Sequence, residues 1–418
     1  MPGSVARPLS VVLLSGSIYV VMPDQHPTAR VTVDEPHDCW RDLQKQKQSI
    51  WGFMGFLVLC ALTFLTVPSH GREGRLDTIN GYRVLHVAGT PRQMGERHGR
   101  LLGNEVRRMV DDLVHPGGST GWLSYQKLIE GTKVMERHIP SDFCTEMRSL
   151  SKAAGVEYED LVAAQLFGDV SRATRCTSFA LFGSATATGE LIMGRNLDYW
   201  DNGVSEYAAV LIHFKPAKGI PFVTVTWAGI INGWTVMNAR GIVCSNNNSY
   251  GRSNSLEGIS TCFMLRKIAQ QASSLNEAER ILRTTPRACG TNMLVAQAHP
   301  ANAFIAEYDH SEIVFRRAAR GYVIASNHFR KLYQDEDDEP WCYRYRKVEE
   351  LISENYGQID RSFNLAGEDG VPITSMNLHS AMLYPATGDF CVAMGKIPAC
   401  EQEYRWFHMD EDGVARGK

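Results

Sequence analysis

The chain has 418 residues, of which 44% are hydrophobic and 21% are charged. This composition is typical of a globular protein with enough apolar material for a large core. The formal net charge is only -3, which excludes a strongly basic nucleic-acid binder and favours a small-molecule ligand.

The earliest strong feature is an apolar segment at 51–67, WGFMGFLVLCALTFLTV, which contains no charged residue. It lies at the short limit for a membrane-spanning helix and is long for the core of a signal peptide. Arg41, Lys45 and Lys47 precede it and slightly favour a cytoplasmic N terminus. We therefore predict an N-terminal extension at 1–50 and a transmembrane or signal-anchor segment at 51–67.

This segment predicts a membrane-anchored or secreted protein whose remaining chain lies outside the cytoplasm, and protease added to intact cells tests that placement. Two alternatives stay open from the residues alone. The segment 51–67 is also compatible with a buried core helix, and translation is also compatible with a start at Met54. A second and weaker signal-like segment runs from Leu9 to Met22.

From about residue 80 the pattern becomes that of a folded domain. GYRVLHVAG alternates like a strand, and the next 24 residues, 91–114, place apolar side chains at helical spacing. Two further helices are predicted around 121–138 and 141–166. These elements predict a largely helical region at 80–175.

After residue 174 the pattern changes to short strand-type runs separated by glycine, asparagine and proline. One helix is predicted at about 260–283, with Asn276 as an N-cap, and another at 343–354. The sequence therefore predicts an α+β fold, with a strand-rich region at 176–418.

The stretch from Arg175 to Trp200, RCTSFALFGSATATGELIMGRNLDYW, predicts a β-hairpin with its turn at 186–189. The turn lies midway between positions 176 and 198. Folding about it is therefore expected to bring Asp198 beside Cys176, with Arg195 close by.

This trio suits nucleophilic catalysis if Cys176 becomes the first residue of a processed chain. The hairpin contains no histidine, whereas a free α-amine, with a pKa of about 7.7–8.0, can take the proton from the thiol. Asp198 would hold the amine and Arg195 would favour the thiolate. The alternatives are a buried structural cysteine and a strand-end ion pair.

Cys-Thr-Ser followed by Gly-Arg-Asn-Leu-Asp resembles the N-terminal-nucleophile (Ntn) hydrolases of the acyl-coenzyme A:6-aminopenicillanate acyltransferase family. That family is related to choloylglycine hydrolases, penicillin V acylases and acid-ceramidase-type amidases. The resemblance extends over roughly residues 80 to 400 and includes GTPRQMGERHGRLLGNEVR, LNEAERILRTTPRACGTNMLVAQ and YRYRKVEELI.

The resemblance implies a four-layer αββα sandwich and a precursor that cuts itself before Cys176. It would make 80–175 a propeptide-like region and 176–418 the catalytic region. It also implies that asparagine amides stabilise the oxyanion, for which Asn247 and Asn327 are the candidates, although asparagine clusters are also common in turns. One departure concerns cleavage: a small glycine precedes the nucleophile in the fungal acyltransferase pattern, whereas Arg175 precedes it here.

The expected reaction is hydrolysis of a carbon–nitrogen amide bond in an N-acylated small molecule, through a thioester on Cys176. The alternatives are transfer of the acyl group to an amine and a non-catalytic, membrane-tethered binding protein. Ten scattered cysteines without C-x-x-C pairs predict no metal, and no cofactor is expected. Disulfide pairing and homo-oligomerisation are left open.

Overall fold

The computed structural model describes residues 10–14, 17–21, 74–115, 123–172, 175–200, 203–333 and 342–417. The chain divides into two compact units, Met1–Pro68 and Ser69–Lys418. In the first unit, β1 (Ser10–Leu14) and β2 (Ser17–Val21) form an antiparallel pair. The segment 51–67 lies outside the described residues, so its membrane role stays a prediction. Within the described ranges, no helix has the length and apolar character needed to span a bilayer.

Eight α-helices lie in the described part of the second unit. They are α1 (Pro91–Val114), α2 (Tyr125–Glu136), α3 (Ser141–Ala154), α4 (Tyr158–Ser171), α5 (Val204–Ala208), α6 (Thr261–Gln271), α7 (Leu275–Thr284) and α8 (Tyr343–Glu354). Helix α1 begins where the sequence predicts it, because Thr90 and Gln93 form a reciprocal capping box and Pro91 fits the first turn.

Two predicted helices are wrong in their extent. The stretch 141–166 is two helices, because Gly155 takes a left-handed conformation with φ of 72° and ends α3. The stretch 260–283 is also two helices, and the N-cap of the second is Ser274 rather than Asn276. The Ser274 hydroxyl accepts the Glu277 N–H at 3.3 Å, which satisfies an N–H of the first turn.

Sixteen further strands build two sheets. They are β3 (Arg75–Ile79), β4 (Tyr82–Gly89), β5 (Arg175–Leu181), β6 (Ile192–Asp198), β7 (Ala209–Pro216), β8 (Phe222–Trp227), β9 (Thr235–Asn238), β10 (Ile242–Asn248), β11 (Thr291–Gln297), β12 (Asn302–Tyr308), β13 (Ile313–Arg317), β14 (Tyr322–Ala325), β15 (Asn377–Tyr384), β16 (Asp389–Met394), β17 (Arg405–Met409) and β18 (Val414–Arg416). The nine-stranded sheet has the order β13-β12-β11-β10-β9-β8-β7-β4-β3, and the seven-stranded sheet has the order β14-β5-β6-β15-β16-β17-β18.

Three apolar cores separate the layers. The first joins helices to the nine-stranded sheet, with Met109 and Phe263 packed in one cluster with Ile242. The second lies between the two sheets and includes Val243 and Met193. In the third, strands of the seven-stranded sheet pack against α8, where Val348 and Ile352 are buried. The layers therefore run helix, sheet, sheet, helix, as the αββα expectation requires.

The nucleophile hairpin is present as predicted, with β5 and β6 paired antiparallel, but its register differs by one residue. Cys176 lies opposite Leu197, and Asp198 lies opposite Arg175. Opposite residues point to the same face of a sheet and neighbouring residues to different faces. The Asp198 side chain therefore lies on the face that α8 covers, whereas the Cys176 thiol and Arg195 lie on the other face.

Candidate active site

Cys176 is the second residue of β5 and is fully buried in the continuous chain. Polar side chains hydrogen bond to both its backbone N–H and its backbone carbonyl. Its N–H donates to Asn327 Oδ1 at 2.7 Å, and its carbonyl oxygen accepts from Arg344 Nη1. These contacts fix the backbone of the candidate nucleophile, including the nitrogen that cleavage would turn into an α-amine.

The thiol lies in an environment that favours its neutral form. Burial raises the pKa of the Cys176 thiol, and the positive charge of Arg195 opposes that shift. Arg195 is itself fully buried, and its Nη1 donates to Ser178 Oγ at 3.3 Å. Among the described residues, its Nε and Nη2 groups have no hydrogen-bond partner. Two charged donors are therefore available next to the sulfur.

Asp198 is also buried, and two donors hold its carboxylate. Asn377 Nδ2 donates to Oδ1 at 2.8 Å, and the Ile373 N–H donates to Oδ2 at 3.1 Å. Burial raises the pKa of Asp198 to about 6, against the opposing effect of the Asn377 bond. In the part of the chain that the structure describes, Asp198 and Arg195 form no ion pair, since they lie on opposite faces of β6.

This raised pKa predicts a pH-dependent stability. The neutral carboxyl stabilises the folded state fully below its unfolded pKa of about 4, and that contribution is lost as the pH rises through about 6. In the uncut Cys176→Ala protein, the free energy of unfolding should fall between pH 4 and 7 by about 1–3 kcal/mol more than it does when Asp198→Asn is added. Urea denaturation at both pH values measures the difference.

The control for this experiment is Asp111→Asn, because the Asp111 side chain is 72% exposed. That substitution should leave the pH dependence as it is in the parent. Identical pH dependence with and without Asp198 would show that burial does not destabilise the charged form of the carboxylate.

The two candidate oxyanion asparagines are placed differently. Asn327 touches the nucleophile: its Oδ1 accepts from Cys176 N and from Arg344 Nη2, and its Nδ2 donates to Asn248 O at 2.7 Å. Asn247 reaches the site through Ser178, whose hydroxyl donates to Asn247 Oδ1 at 2.8 Å. In the continuous chain, Asn327 therefore accepts a hydrogen bond from Cys176 rather than donating one.

Two residues of the cluster were not predicted from the sequence. Arg344, in the first turn of α8, donates to the Cys176 carbonyl and to Thr177 Oγ1. It lies in the quoted segment YRYRKVEELI, but the alternating tyrosines and arginines do not show which arginine faces inward. Asn377 binds Asp198, and nothing local in the sequence marks it.

A small apolar cavity of about 30 Å³ adjoins this strand end. Tyr199, which follows Asp198 directly, lines it, and its hydroxyl hydrogen bonds to Ser171 Oγ at 2.7 Å. Phe167, Trp227 and Trp234 also line it. The walls therefore come from both sides of Cys176 in the sequence.

The described residues show neither a metal site nor a disulfide. Within them, no group of three or more histidine, cysteine or acidic side chains is arranged to hold a metal ion. The eight cysteines in the described ranges are all free thiols, whereas Cys39 and Cys60 lie outside those ranges. The polar groups around Cys176 are therefore what the site offers for chemistry.

The family model described as acyl-coenzyme A:6-aminopenicillanic acid acyl-transferase matches residues 185–376. These residues form an acyltransferase-like segment. The family resemblance predicted from the sequence is thereby confirmed, and it supports acyl transfer or amide hydrolysis as the general chemistry. The acyltransferase-like segment contains Arg195, Asp198, Asn247 and Asn327, whereas Cys176 lies nine residues before it.

The chain is also similar to three curated proteins. It is 24% identical to an uncharacterized protein of Archaeoglobus fulgidus, over 73% of this chain and 63% of that one. It is 25% and 26% identical to the Dictyostelium discoideum proteins dcd1B and dcd1A, over 55% and 56% of this chain. The alignments cover 51% of dcd1B and 60% of dcd1A. The chain thus spans less than two thirds of the length of each relative.

Among solved structures, the chain resembles a Caenorhabditis elegans N-acylethanolamine-hydrolyzing acid amidase ortholog, with 16% identity, a TM-score of 0.41, and coverage of 50% of this chain and 93% of that one. It also resembles a conjugated bile acid hydrolase from Clostridium perfringens, with 13% identity, a TM-score of 0.42, and coverage of 58% and 96%. A third is penicillin V acylase from Agrobacterium tumefaciens, with 11% identity, a TM-score of 0.40, and coverage of 56% and 86%.

Proposed function

We propose that the protein is a self-processing amide hydrolase in which Cys176 is the N-terminal nucleophile. One observation carries the proposal: polar groups converge on the backbone of Cys176 as well as on its thiol. Asn327 holds its nitrogen at 2.7 Å, and Arg344 holds its carbonyl oxygen. Such an arrangement suits a residue whose α-amine serves as the general base.

Processing begins with attack of Cys176 Sγ on the carbonyl carbon of Arg175. The peptide C–N bond breaks, a thioester forms between Arg175 and the sulfur, and the nitrogen of Cys176 takes up a proton as the new α-amine. Water then cleaves the thioester, giving the Arg175 carboxylate and a free thiol. The pairing of β5 with β6 places Asp198 opposite Arg175, whose carbonyl carbon is bonded to the Cys176 nitrogen. The Asp198 carboxylate would therefore stabilise the positive charge on the new α-amine.

Turnover repeats this chemistry on an N-acyl amide. The α-amine accepts the thiol proton, the sulfur attacks the amide carbonyl, and the amine product leaves with that proton. Water releases the acid from the resulting acyl thioester. The unpartnered N–H groups of Arg195 and the amide groups of Asn247 and Asn327 are the candidate donors for the negative charge on the carbonyl oxygen.

The cavity lined by Phe167, Tyr199, Trp227 and Trp234 favours an apolar acyl group. Its side chains are mostly hydrocarbon, so burial of a matching acyl group would remove apolar surface from water. Its volume in the continuous chain is about 30 Å³.

The two products of cleavage should stay together as one enzyme. Three buried contacts join the region before Cys176 to the region after it: Glu146 with Arg266, Gln165 with Gly229 and Ile231, and Asp169 with Ser260 and Thr261. Strand β4 also pairs with β7 inside the nine-stranded sheet. Separation would expose these groups and the first apolar core to water.

Intact mass and N-terminal sequencing test the proposal directly. Purified protein should contain two co-eluting chains, one of which begins at Cys176, and its acylated form should release a hydroxamate when hydroxylamine attacks the thioester. Fluorogenic N-acyl amides of 7-amino-4-methylcoumarin, with acyl chains of graded length, measure turnover. Fully active protein that remains uncut would overturn the terminal-amine mechanism.

Acyl transfer is the second candidate, because the matched family model describes an acyl-transferase. The same thioester reacts with whichever nucleophile enters the site. Incubation of the acylated enzyme with water alone or with added primary amines separates the two. Release of free acid at the same rate in both cases assigns the protein as a hydrolase.

A further inference from the structure

The loop that follows β14 carries Asn327 and is held by one row of polar side chains. The row consists of Asn247 on β10, Asn292 on β11 and Glu307 on β12, and we call it the polar row. Asn247 lies opposite Asn292, and Asn292 lies opposite Glu307 in the strand register. All three side chains are fully buried and lie on one face of the nine-stranded sheet.

Each member of the polar row hydrogen bonds to a different part of the loop backbone, and the contacts follow the order of the chain. Asn247 Nδ2 donates to Ala325 O at 3.2 Å. Asn292 Nδ2 donates to Ser326 O at 2.9 Å and to His328 O at 2.7 Å. Glu307 Oε2 accepts hydrogen bonds from three successive backbone N–H groups, those of Arg330 at 3.0 Å, Lys331 at 2.7 Å and Leu332 at 2.9 Å.

These contacts hold the backbone on both sides of Asn327 while its own side chain reaches Cys176. Asn292 is central, because its amide binds the carbonyls directly before and after Asn327. The same nitrogen also lies 2.9 Å from Ser249 Oγ, so its two hydrogens are shared among three acceptors, in the loop and just after the end of β10. A shift of the loop by a fraction of an ångström would lengthen the 2.7 Å bond between Asn327 Oδ1 and Cys176 N.

We propose that Asn292 is a positioning residue, which through the polar row sets Asn327 against Cys176. The inference rests on the proposed function where it concerns turnover, but the positioning itself is a property of the uncut chain. It predicts that loss of the Asn292 amide weakens the hydrogen bond from the Cys176 N–H to Asn327, although Asn292 itself contacts no reacting atom.

The chain offers a matched control in Asn238, which lies on β9 of the same sheet. It is 1% exposed, and its Nδ2 donates to two backbone carbonyls, Ala269 O at 2.9 Å and Ala272 O at 2.8 Å. Asn238→Ala therefore removes the same side chain and the same kind of contact as Asn292→Ala. Those two contacts are to α6 and the residue after it, and Asn238 Oδ1 accepts the Arg240 and Ile242 N–H groups at 3.0 Å each. None of these partners belongs to the Asn327 loop.

Hydrogen exchange of the residue-176 amide tests the positioning without any need for turnover. In the uncut Cys176→Ala background, Asn292→Ala should speed exchange at residue 176 by about tenfold, whereas Asn238→Ala should leave it unchanged. Fragmentation mass spectrometry resolves the single amide. Equal exchange in both variants would overturn the proposal. If Asn292→Ala does not fold, Asn292→Ser, which keeps one donor, is compared in the same way.

A double-mutant cycle on coumarin-amide turnover tests the route of action. Asn292→Ala should lower kcat by roughly tenfold with little change in KM, and should add no further loss to Asn327→Ala, because it acts through that residue. Additive losses, or a full kcat in Asn292→Ala, would overturn the positioning role. Turnover that persists in Cys176→Ala would instead sink the proposed function, and the exchange result would still decide the role of Asn292.

Discussion

Cys176→Ala should abolish both cleavage before residue 176 and amide turnover, because without the sulfur no thioester can form. The expected loss of turnover is on the order of 10⁴ or more. The residue is fully buried within an apolar cluster that includes Leu197, so alanine fits the same space and the variant should fold. Intact mass shows whether the chain is cut, and the fluorogenic amides measure the rate.

Cys176→Ser and a control cysteine sharpen this test. Serine keeps a weaker nucleophile of similar size, so slow cleavage is expected with severely reduced turnover. Cys244 is also fully buried and belongs to the same apolar cluster, but its thiol donates to the backbone carbonyl of Leu265 on α6 instead of lying beside Arg195. Cys244→Ala should therefore be cut and active. Turnover in Cys176→Ala at the rate of Cys244→Ala would assign the chemistry to another residue.

The hairpin could be predicted from the sequence because the residues that determine it are local. A turn of small and polar residues separates two strand-type runs, and both strands form around it. The strand register could not be predicted as well. The observed register differs from the predicted one by one residue, so that Asp198 lies opposite Arg175 instead of Cys176. The connection between the strands contains a 3₁₀ turn, Gly183–Ala185, and the register also depends on packing that the hairpin sequence alone does not determine.

The surroundings of the nucleophile depend on contacts distant in sequence. Arg344 lies 168 residues from Cys176, and Asn377 lies 179 residues from Asp198. Asn327 was predicted from the resemblance of its segment to a family loop, but its acceptor role toward Cys176 is visible only in the structure, where the polar row contacts the backbone on both sides of it. No periodicity or local motif encodes that support, since its members come from three different strands.

Two arginines, Arg195 and Arg266, are fully buried but differ in their hydrogen bonds. This difference favours a functional role for Arg195 and a structural role for Arg266. Arg266 Nη2 donates to Glu146 Oε2 at 2.6 Å, and its Nη1 donates to Glu146 Oε1 at 3.1 Å, within a pair that is essentially unexposed. Within the described residues, the Arg195 guanidinium has one hydrogen bond, at 3.3 Å to Ser178 Oγ, and its Nε and Nη2 have no partner, whereas in Arg266 only Nε has none. A buried charge with unsatisfied donors costs stability, so its presence beside Cys176 favours a role in the reaction.

The two arginine-to-methionine substitutions should therefore have opposite effects. Arg266→Met leaves Glu146 buried without its partner and should lower the free energy of unfolding by about 3–5 kcal/mol. Arg195→Met removes an incompletely bonded charge and should leave stability unchanged or raise it, while turnover falls by on the order of 10²–10³ because the donors for the developing charge are gone. Urea denaturation in the uncut Cys176→Ala background measures stability, and the fluorogenic amides measure turnover in the otherwise unaltered chain. If Arg195→Met destabilises the protein as much as Arg266→Met does, and its folded fraction keeps full activity, then Arg195 is a structural residue and the active-site assignment is wrong.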